Sequence, residues 1–303
     1  MGKILGLDNG YNYTKTSEGV CILSTLEKGH DNYNTVLEIN VDGENYIVGE
    51  PTGQYIVDAD KFATREGQEL LKLTSLAAIG LSYPEESVID VNIVAGLPVA
   101  YYSDQKEDLE NLIKSLDNSC IEINKLAKKQ VIKINKVLIL PQACGIIIEK
   151  NRKNESSLVI DIGGGTWDIA QFNGLKLTEK ATYEKGMLVL YSAIAQMLNS
   201  KYYTTFEASD IQNIIDRGYF TVKGVKKGIA EIEEYLNNEV RKIASTITRD
   251  FDTTSIDNFY LIGGGAIALK NYIKKYFPAI EVEEHCQFTN VNSFAFMGEL
   301  KLL

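Results

Sequence analysis

The sequence predicts an α/β protein of two lobes, and three observations carry that expectation. An apolar strand ending in Asp-x-Gly occurs twice, about half a chain apart. The copies are Ile4-Leu5-Gly6-Leu7-Asp8-Asn9-Gly10 and Leu158-Val159-Ile160-Asp161-Ile162-Gly163-Gly164-Gly165. Strand-like runs alternate with amphipathic helical spacing in both halves, the mark of α/β architecture. With 303 residues and 45% apolar content the chain can bury two ordinary cores.

In the first half, strands are expected at Lys3 to Asp8 and Val20 to Leu26. A hairpin of Thr35 to Val41 with Tyr46 to Val48 turns on Asp42-Gly43, a strong two-residue signal. The pattern turns helical from about Arg65 to Gly80, and Asp90 to Leu97 reads as a buried strand. Asp104-x-x-Glu107 resembles a capping box ahead of Leu109, Leu112, Ile113 and Leu116, one face of a helix. Strands follow at Cys120 to Ile123 and Val131 to Leu140. Pro141 is expected in the first turn of a helix over Gln142 to Lys150.

The polar stretch Asn151 to Ser156 is the linker candidate, after which strand, reversal and strand restart. Asn173-Gly174 marks a second hairpin. Helices are expected from Met187 to Asn199 and through Ile232, Leu236, Val240, Ile243 and Ile247, a core-facing stripe. Phe259 to Ile262 empties into Gly263-Gly264-Gly265, which opens a helix reaching about Phe277.

Composition narrows the function. No run approaches the roughly 18 apolar residues of a membrane span, and no signal-peptide pattern is visible, so a cytoplasmic protein without membrane attachment is expected. Cys21, Cys120, Cys144 and Cys286 are scattered singly and read as small core residues. His30 and His285 are the only histidines, which removes most histidine-based metal and triad chemistry. A formal charge of −10 disfavours broad contact with a nucleic-acid backbone. The basic run of Lys125, Lys128, Lys129, Lys133 and Lys136 reads as a solvated face.

A strand that delivers a carboxylate into a glycine-rich reversal offers backbone N–H groups to an anion and an oxygen ligand to a hard cation. That pairing suits a phosphate chain carrying Mg²⁺. Three consecutive glycines cost entropy unless their freedom is used, so Asp161 to Thr166 is the stronger copy.

In this order the motifs resemble the nucleotide-binding pattern of the actin, heat-shock chaperone and sugar kinase superfamily. Asp8-Asn9-Gly10 with Lys15 is similar to its first phosphate motif, Asp161 to Asp168 to the second, and Leu261 to Ala266 to the adenosine motif. Pro141-Gln142-Ala143 resembles the first connecting helix, and Asn292 to Gly298, with Ala295, fits the second connecting segment loosely. The resemblance implies two ribonuclease-H-like (actin-type) domains, each on a five-stranded sheet, with a nucleotide cleft between them. Residues 1–145 would form domain I, with an insertion at about 31–88 and the C-terminal segment 291–303 returning to it. Residues 146–290 would form domain II.

The resemblance also implies the site. Asp8 and Asp161 would organise Mg²⁺ through water, since Mg²⁺ dehydrates reluctantly, and Lys15 would neutralise phosphate oxygens. The amides around Asn9, Gly10, Gly163, Gly164 and Gly165 would hold the remaining oxygens. Thr166 and Asp168 would brace the second reversal, and Gly263, Gly264 and Gly265 would lie against adenosine and ribose. Gln142 would orient the attacking water of an ATPase, with slow turnover because an amide is a poor base. No motif marks the base contact; Glu184 and Lys185 lie nearby.

Relatives of this fold differ in function. A chaperone-like ATPase would need a longer domain, and a small-molecule (sugar-type) kinase would need an acidic base that does not identify itself. Val94-Ala95-Gly96-Leu97-Pro98-Val99-Ala100-Tyr101 resembles the ParM/StbA group of plasmid-encoded bacterial actins, from which Gln142 departs where that group has glutamate. Membership implies an ATP- or GTP-dependent head-to-tail filament that segregates plasmid DNA. DNA contact would run through a ParR-like adaptor.

Overall fold

The computed structural model describes residues 2–33, 35–51, 53–55 and 62–302. Residues 56–61 of the expected insertion lie outside them. The first half contains β1 (Lys3–Asn9), β2 (Tyr13–Thr16), β3 (Cys21–Leu23), β4 (Thr25–Lys28), β5 (Leu37–Val41), β6 (Glu44–Val48), β7 (Gln54–Tyr55), α1 (Arg65–Ser82), β8 (Val88–Leu97), α2 (Tyr102–Lys114), β9 (Cys120–Ile123), β10 (Lys129–Pro141) and α3 (Gly145–Glu149). The second contains β11 (Ser156–Ile162), β12 (Trp167–Asn173), β13 (Lys176–Tyr183), α4 (Met187–Tyr202), α5 (Ala208–Arg217), β14 (Tyr219–Val222), β15 (Val225–Gly228), α6 (Ala230–Asp250), β16 (Asn258–Ile262), α7 (Gly265–Ile273), β17 (Glu281–Val282) and α8 (Thr289–Leu302).

The repeat in the sequence is a repeat of topology. Strands β3-β2-β1 form an antiparallel meander that β8 and then β10 join in parallel. The second sheet runs β13-β12-β11-β16-β17 with the same directions. Parallel neighbours require crossovers, which the helices between these strands provide.

The second sheet has the expected five strands, but the first has ten. Strand β9 pairs with the start of β10 and carries β5, β6, β4 and β7 outward. The hairpin of β5 and β6 turns on Asp42 and Gly43 at φ of 52° and 85°, the left-handed pair that a two-residue hairpin needs.

Six expectations are corrected. Val20 to Leu26 divides into β3 and β4, because Ser24 leaves the ladder to donate its amide to Asn12 O at 2.8 Å. Tyr101, not Asp104, precedes α2, and no side chain caps that helix. Pro141 ends β10 opposite Leu97, and its missing N–H is tolerated because β9 pairs only with residues 129–131. The helix expected over Gln142 to Lys150 shrinks to α3, since Ala143 sits at φ 63° and breaks the turn before it. Helix α7 stops at Ile273, short of Phe277. Cys21 is exposed; only Cys286 of the four free cysteines is fully buried.

Each sheet has its own core, and a third cluster joins them. Leu158, Ile160 and Ile162 face α4, α6 and α7, whereas Val159 faces the other way, the alternation of a strand buried on both faces. On that side Val99, Ala143, Ile146 and Ile147 from the first half meet Ala170, Phe172, Tyr260 and Ile262 from the second. Helix α8 returns to the first sheet. A side-chain carbon at Gly6 would lie 2.0 Å from Val291 O, and one at Gly96 would enter the Phe294 ring. Among the described residues no helix is long and apolar enough to cross a membrane.

Candidate functional site

The two reversals are built alike. Gly10 N–H donates to Tyr13 O at 3.0 Å and Gly163 N–H to Thr166 O at 2.8 Å. Asp8 stands opposite Lys15 across its hairpin, and Asp161 opposite Asp168 across the other. The expected role of the Gly10 and Gly163 amides in holding an anion is corrected on this point: both close their own turns. The carbonyls of Gly163, Gly164 and Gly165 accept from Met187, Leu188 and Gly186 N–H, so the glycine loop caps α4.

Asp8 is 4% exposed and draws two other predicted residues to it. Gln142 donates its side-chain amide to Asp8 Oδ1 at 2.9 Å, and Lys15 Nζ lies 3.4 Å from Oδ2 while also donating to Gln287 O at 3.1 Å. Asn9, next along β1, is turned away from this group and donates to Ser75 Oγ at 2.8 Å on α1.

Asp161 is equally buried and accepts from Asn290 Nδ2 at 2.7 Å. Burial, then the neighbouring Asp168 carboxylate, pushes its carboxyl up to about 7; Asp8 pushes the same way, against the Asn290 hydrogen bond and Lys15. Asp8 and Asp161 therefore share one electrostatic neighbourhood although they belong to different sheets.

Asp168 braces the second reversal and also ties the sheets together. It accepts from Thr166 Oγ1 at 2.9 Å, Thr182 Oγ1 at 2.6 Å and Val99 N–H at 3.2 Å. The segment after β8 continues the clamp: Ala100 N–H donates to Thr182 Oγ1, Lys180 Nζ to Val99 O and Tyr101 OH to Glu184. Glu184, with Lys185, lines a groove of about 410 Å³ shared with Lys242, Ile243 and Thr246. Lys185 there pairs with Glu239 at 3.6 Å.

The glycines have separate reasons. A side-chain carbon at Gly164 would lie 2.4 Å from Asn12 Cβ, and one at Gly165 would strike the Tyr11 ring, so the two reversals pack face to face. Gly263, at φ 85°, lies against Asp161; Gly265 is buried on Ile162 and Met187; Gly264 alone has room, beside Gln287.

Among the described residues no group of three or more His, Cys, Asp or Glu side chains is placed to hold a metal ion. Two carboxylates short of positive charge, with one lysine between strands, fit a Mg²⁺ that keeps its waters and takes other oxygens from phosphates. Sequence reasoning missed Asn290 and Gln287. Both lie just before or at the start of α8, where only a loose match from Asn292 onward pointed, and neither position has a periodic or spacing signal.

Duplicated sheets with facing carboxylate-bearing reversals define a two-domain fold of the actin type. The chain belongs to the actin-like proteins: the family model described as actin like proteins N terminal domain matches residues 6–145, and that of the archaeal actin homologue MreB-like C-terminal domain matches 159–275. No curated protein sequence matches the chain. Its structure is similar to that of a 15-stranded ParM filament from Clostridium botulinum, with a TM-score of 0.83 and 20% identity over 99% of this chain and 100% of the other. The archaeal actin homolog Ta0583 gives 0.83 and 16% identity over the same shares. Ta0583 in complex with ADP gives 0.80 at 16%, again over 99% and 100%.

Proposed function

We propose that this protein binds ATP or GTP with Mg²⁺ between its two sheets, hydrolyses it, and assembles head to tail into filaments in the cytoplasm. The observation that carries this reading is the meeting of Asp8 and Asp161. They sit at equivalent points of two duplicated reversals and are linked through Gln142 and Asn290 in one buried neighbourhood. Domain I comprises residues 1–145, with the insertion at about 31–88 and with 291–303, and domain II residues 146–290.

Asp8 and Asp161 would hold a Mg²⁺ ion, which would supply charge neutralisation to the phosphates. Lys15 would pass from Asp8 to a phosphate oxygen, and the amides of Gly164 and Gly165 would hold the phosphate chain in place of the Gly10 and Gly163 amides, which close their own turns. Gly263 and Gly264 border the nucleoside. Gln142 orients the attacking water, positioning being most of what phosphoryl transfer asks of a protein. Filament growth uses a heterologous contact whose rotation does not close. The work of the filament is plasmid segregation, with a ParR-like adaptor between the acidic polymer and DNA.

Light scattering and phosphate release after addition of ATP and Mg²⁺ test this. Scattering that rises first, followed by phosphate, is expected. Phosphate transfer that appears only with a sugar or other small acceptor would instead establish a kinase, and no response to either nucleotide removes the reading altogether.

A further inference from the structure

We infer that Asn290 is a positioning residue that fastens Gln142 in place and joins it to the carboxylate of the opposite domain. Its side-chain amide is used at both ends. Nδ2 donates to Asp161 Oδ2 at 2.7 Å, and Oδ1 accepts the backbone N–H of Ala143 at 3.2 Å. Ala143 has φ 63°, a conformation that a residue other than glycine keeps only where its surroundings hold it. The residue before it is Gln142, whose own N–H donates to Leu97 O at 2.8 Å and whose side chain donates to Asp8. Gln142 is thus pinned by Leu97 on one side and, through Ala143, by Asn290 on the other.

The series Asp8, Gln142, Ala143, Asn290, Asp161 is a continuous path between the two repeats, made of hydrogen bonds except for the peptide bond from Gln142 to Ala143. At its fourth place the side chain must donate to a carboxylate and accept from an N–H, and the two ends of an amide do both at once. The helix that carries it is fixed. Val291 O packs on Gly6, Ser293 packs on Gly145, and Ser293 Oγ donates to Glu149 at 3.0 Å. Asn290 therefore cannot follow Asp161 or Ala143 if either moves. It sets where they stand, and a buried polar network of this kind holds its members to one geometry.

Two variants of the full chain separate the two ends of the amide. In nucleotide-free protein, Asn290→Ala removes the acceptor, and hydrogen exchange at the Ala143 amide should quicken at least about tenfold. Asn290→Asp, made together with Asp161→Asn so that no two carboxylates oppose each other, keeps an oxygen towards that N–H, and exchange should stay within about threefold of the parent. A second arm rests on the proposed hydrolysis. Asn290→Ala should lower phosphate release about tenfold, yet cost less than about twofold when Gln142→Ala is already present, since both act through one side chain. Unchanged Ala143 exchange in Asn290→Ala, fast exchange in Asn290→Asp with Asp161→Asn, or full multiplication of the two kinetic losses overturns the inference. A parent chain that releases no phosphate overturns the proposed function instead, and the exchange arm still decides the role of Asn290.

Discussion

Gln142 Nε2 lies 2.9 Å from Asp8 Oδ1, with both side chains more than nine-tenths buried, although the chain places them at opposite ends of domain I. The bond holds the amide over the carboxylate that faces the phosphates in the proposed complex. On the proposed function, Gln142→Ala removes the water-orienting group but no ligand of the nucleotide. It should bind ADP within about threefold of the parent and still assemble, while releasing phosphate at least about tenfold more slowly. Calorimetry with ADP and a phosphate assay measure the two. Equal loss of binding and turnover would place Gln142 in the structure of the site and not in its chemistry.

Asp168 joins the domains through charge-assisted hydrogen bonds from Val99 N–H, Thr166 and Thr182. In Asp168→Asn one oxygen becomes an N–H₂, which the Thr166 hydroxyl can meet only by turning to accept, and the remaining bonds lose their ionic partner. A loss of about 1–3 kcal/mol in urea unfolding follows. Because the Val99 bond spans the two halves, protease sensitivity in the segment 97–101 should rise as well. An unaltered urea midpoint would show that the apolar cluster around Val99 and Tyr260 suffices to hold the domains together.

The duplication was legible because it lives in local chemistry. A buried strand, an Asp and a glycine turn leave the same imprint wherever they recur, and Asp8 with Gly10 matches Asp161 with Gly163 down to the turn-closing bond. Hairpins with Asp-Gly or Asn-Gly turns and helices with apolar stripes were legible for the same reason. Asn290 was not, because its partners Ala143 and Asp161 reach it only through the return of α8 to the first sheet. The hairpin of β14 and β15 is four residues a side and rich in lysine, with little alternation to read. Pro141 was misplaced because a proline after an apolar run suits a helix start as well as a strand end. Which one applies depends on β8, whose Leu97 pairs with Pro141 from far away in sequence.

Gly263 and Gly264 are neighbours with opposite tolerances. At Gly263 the backbone is left-handed, and a methyl group would lie 2.3 Å from Asp161 Oδ1 and 2.4 Å from Ile162 O. At Gly264 φ is −63° and the nearest atom, Gln287 Cγ, is 3.7 Å away. Gly263→Ala should lose about 2 kcal/mol or more, and Gly264→Ala should stay within about 0.5 kcal/mol of the parent. Urea unfolding of the two variants checks this. Equal effects would mean that the reversal relaxes freely around its glycines.

Asp161 is held where a carboxylate is costly. It is a cross-strand partner of Asp168, feels the charge of Asp8, and is 4% exposed. Such an arrangement is stabilised by a cation and burdened without one. Asp161→Asn keeps an oxygen for Asn290 Nδ2 and discards the charge. Without nucleotide or metal, the variant should be more stable than the parent by about 1–3 kcal/mol. With nucleotide and Mg²⁺ added the order should reverse, because the parent gains the binding energy as stability and the variant does not. Thermal unfolding of both proteins, with and without ADP and Mg²⁺, makes the comparison. If Asp161→Asn is the less stable protein under every condition, the carboxylate serves the fold and not a bound cation. Site and stability then oppose each other at a single atom pair, Asp161 Oδ2 and Asn290 Nδ2, which is satisfied in either protein and so leaves the charge as the variable measured.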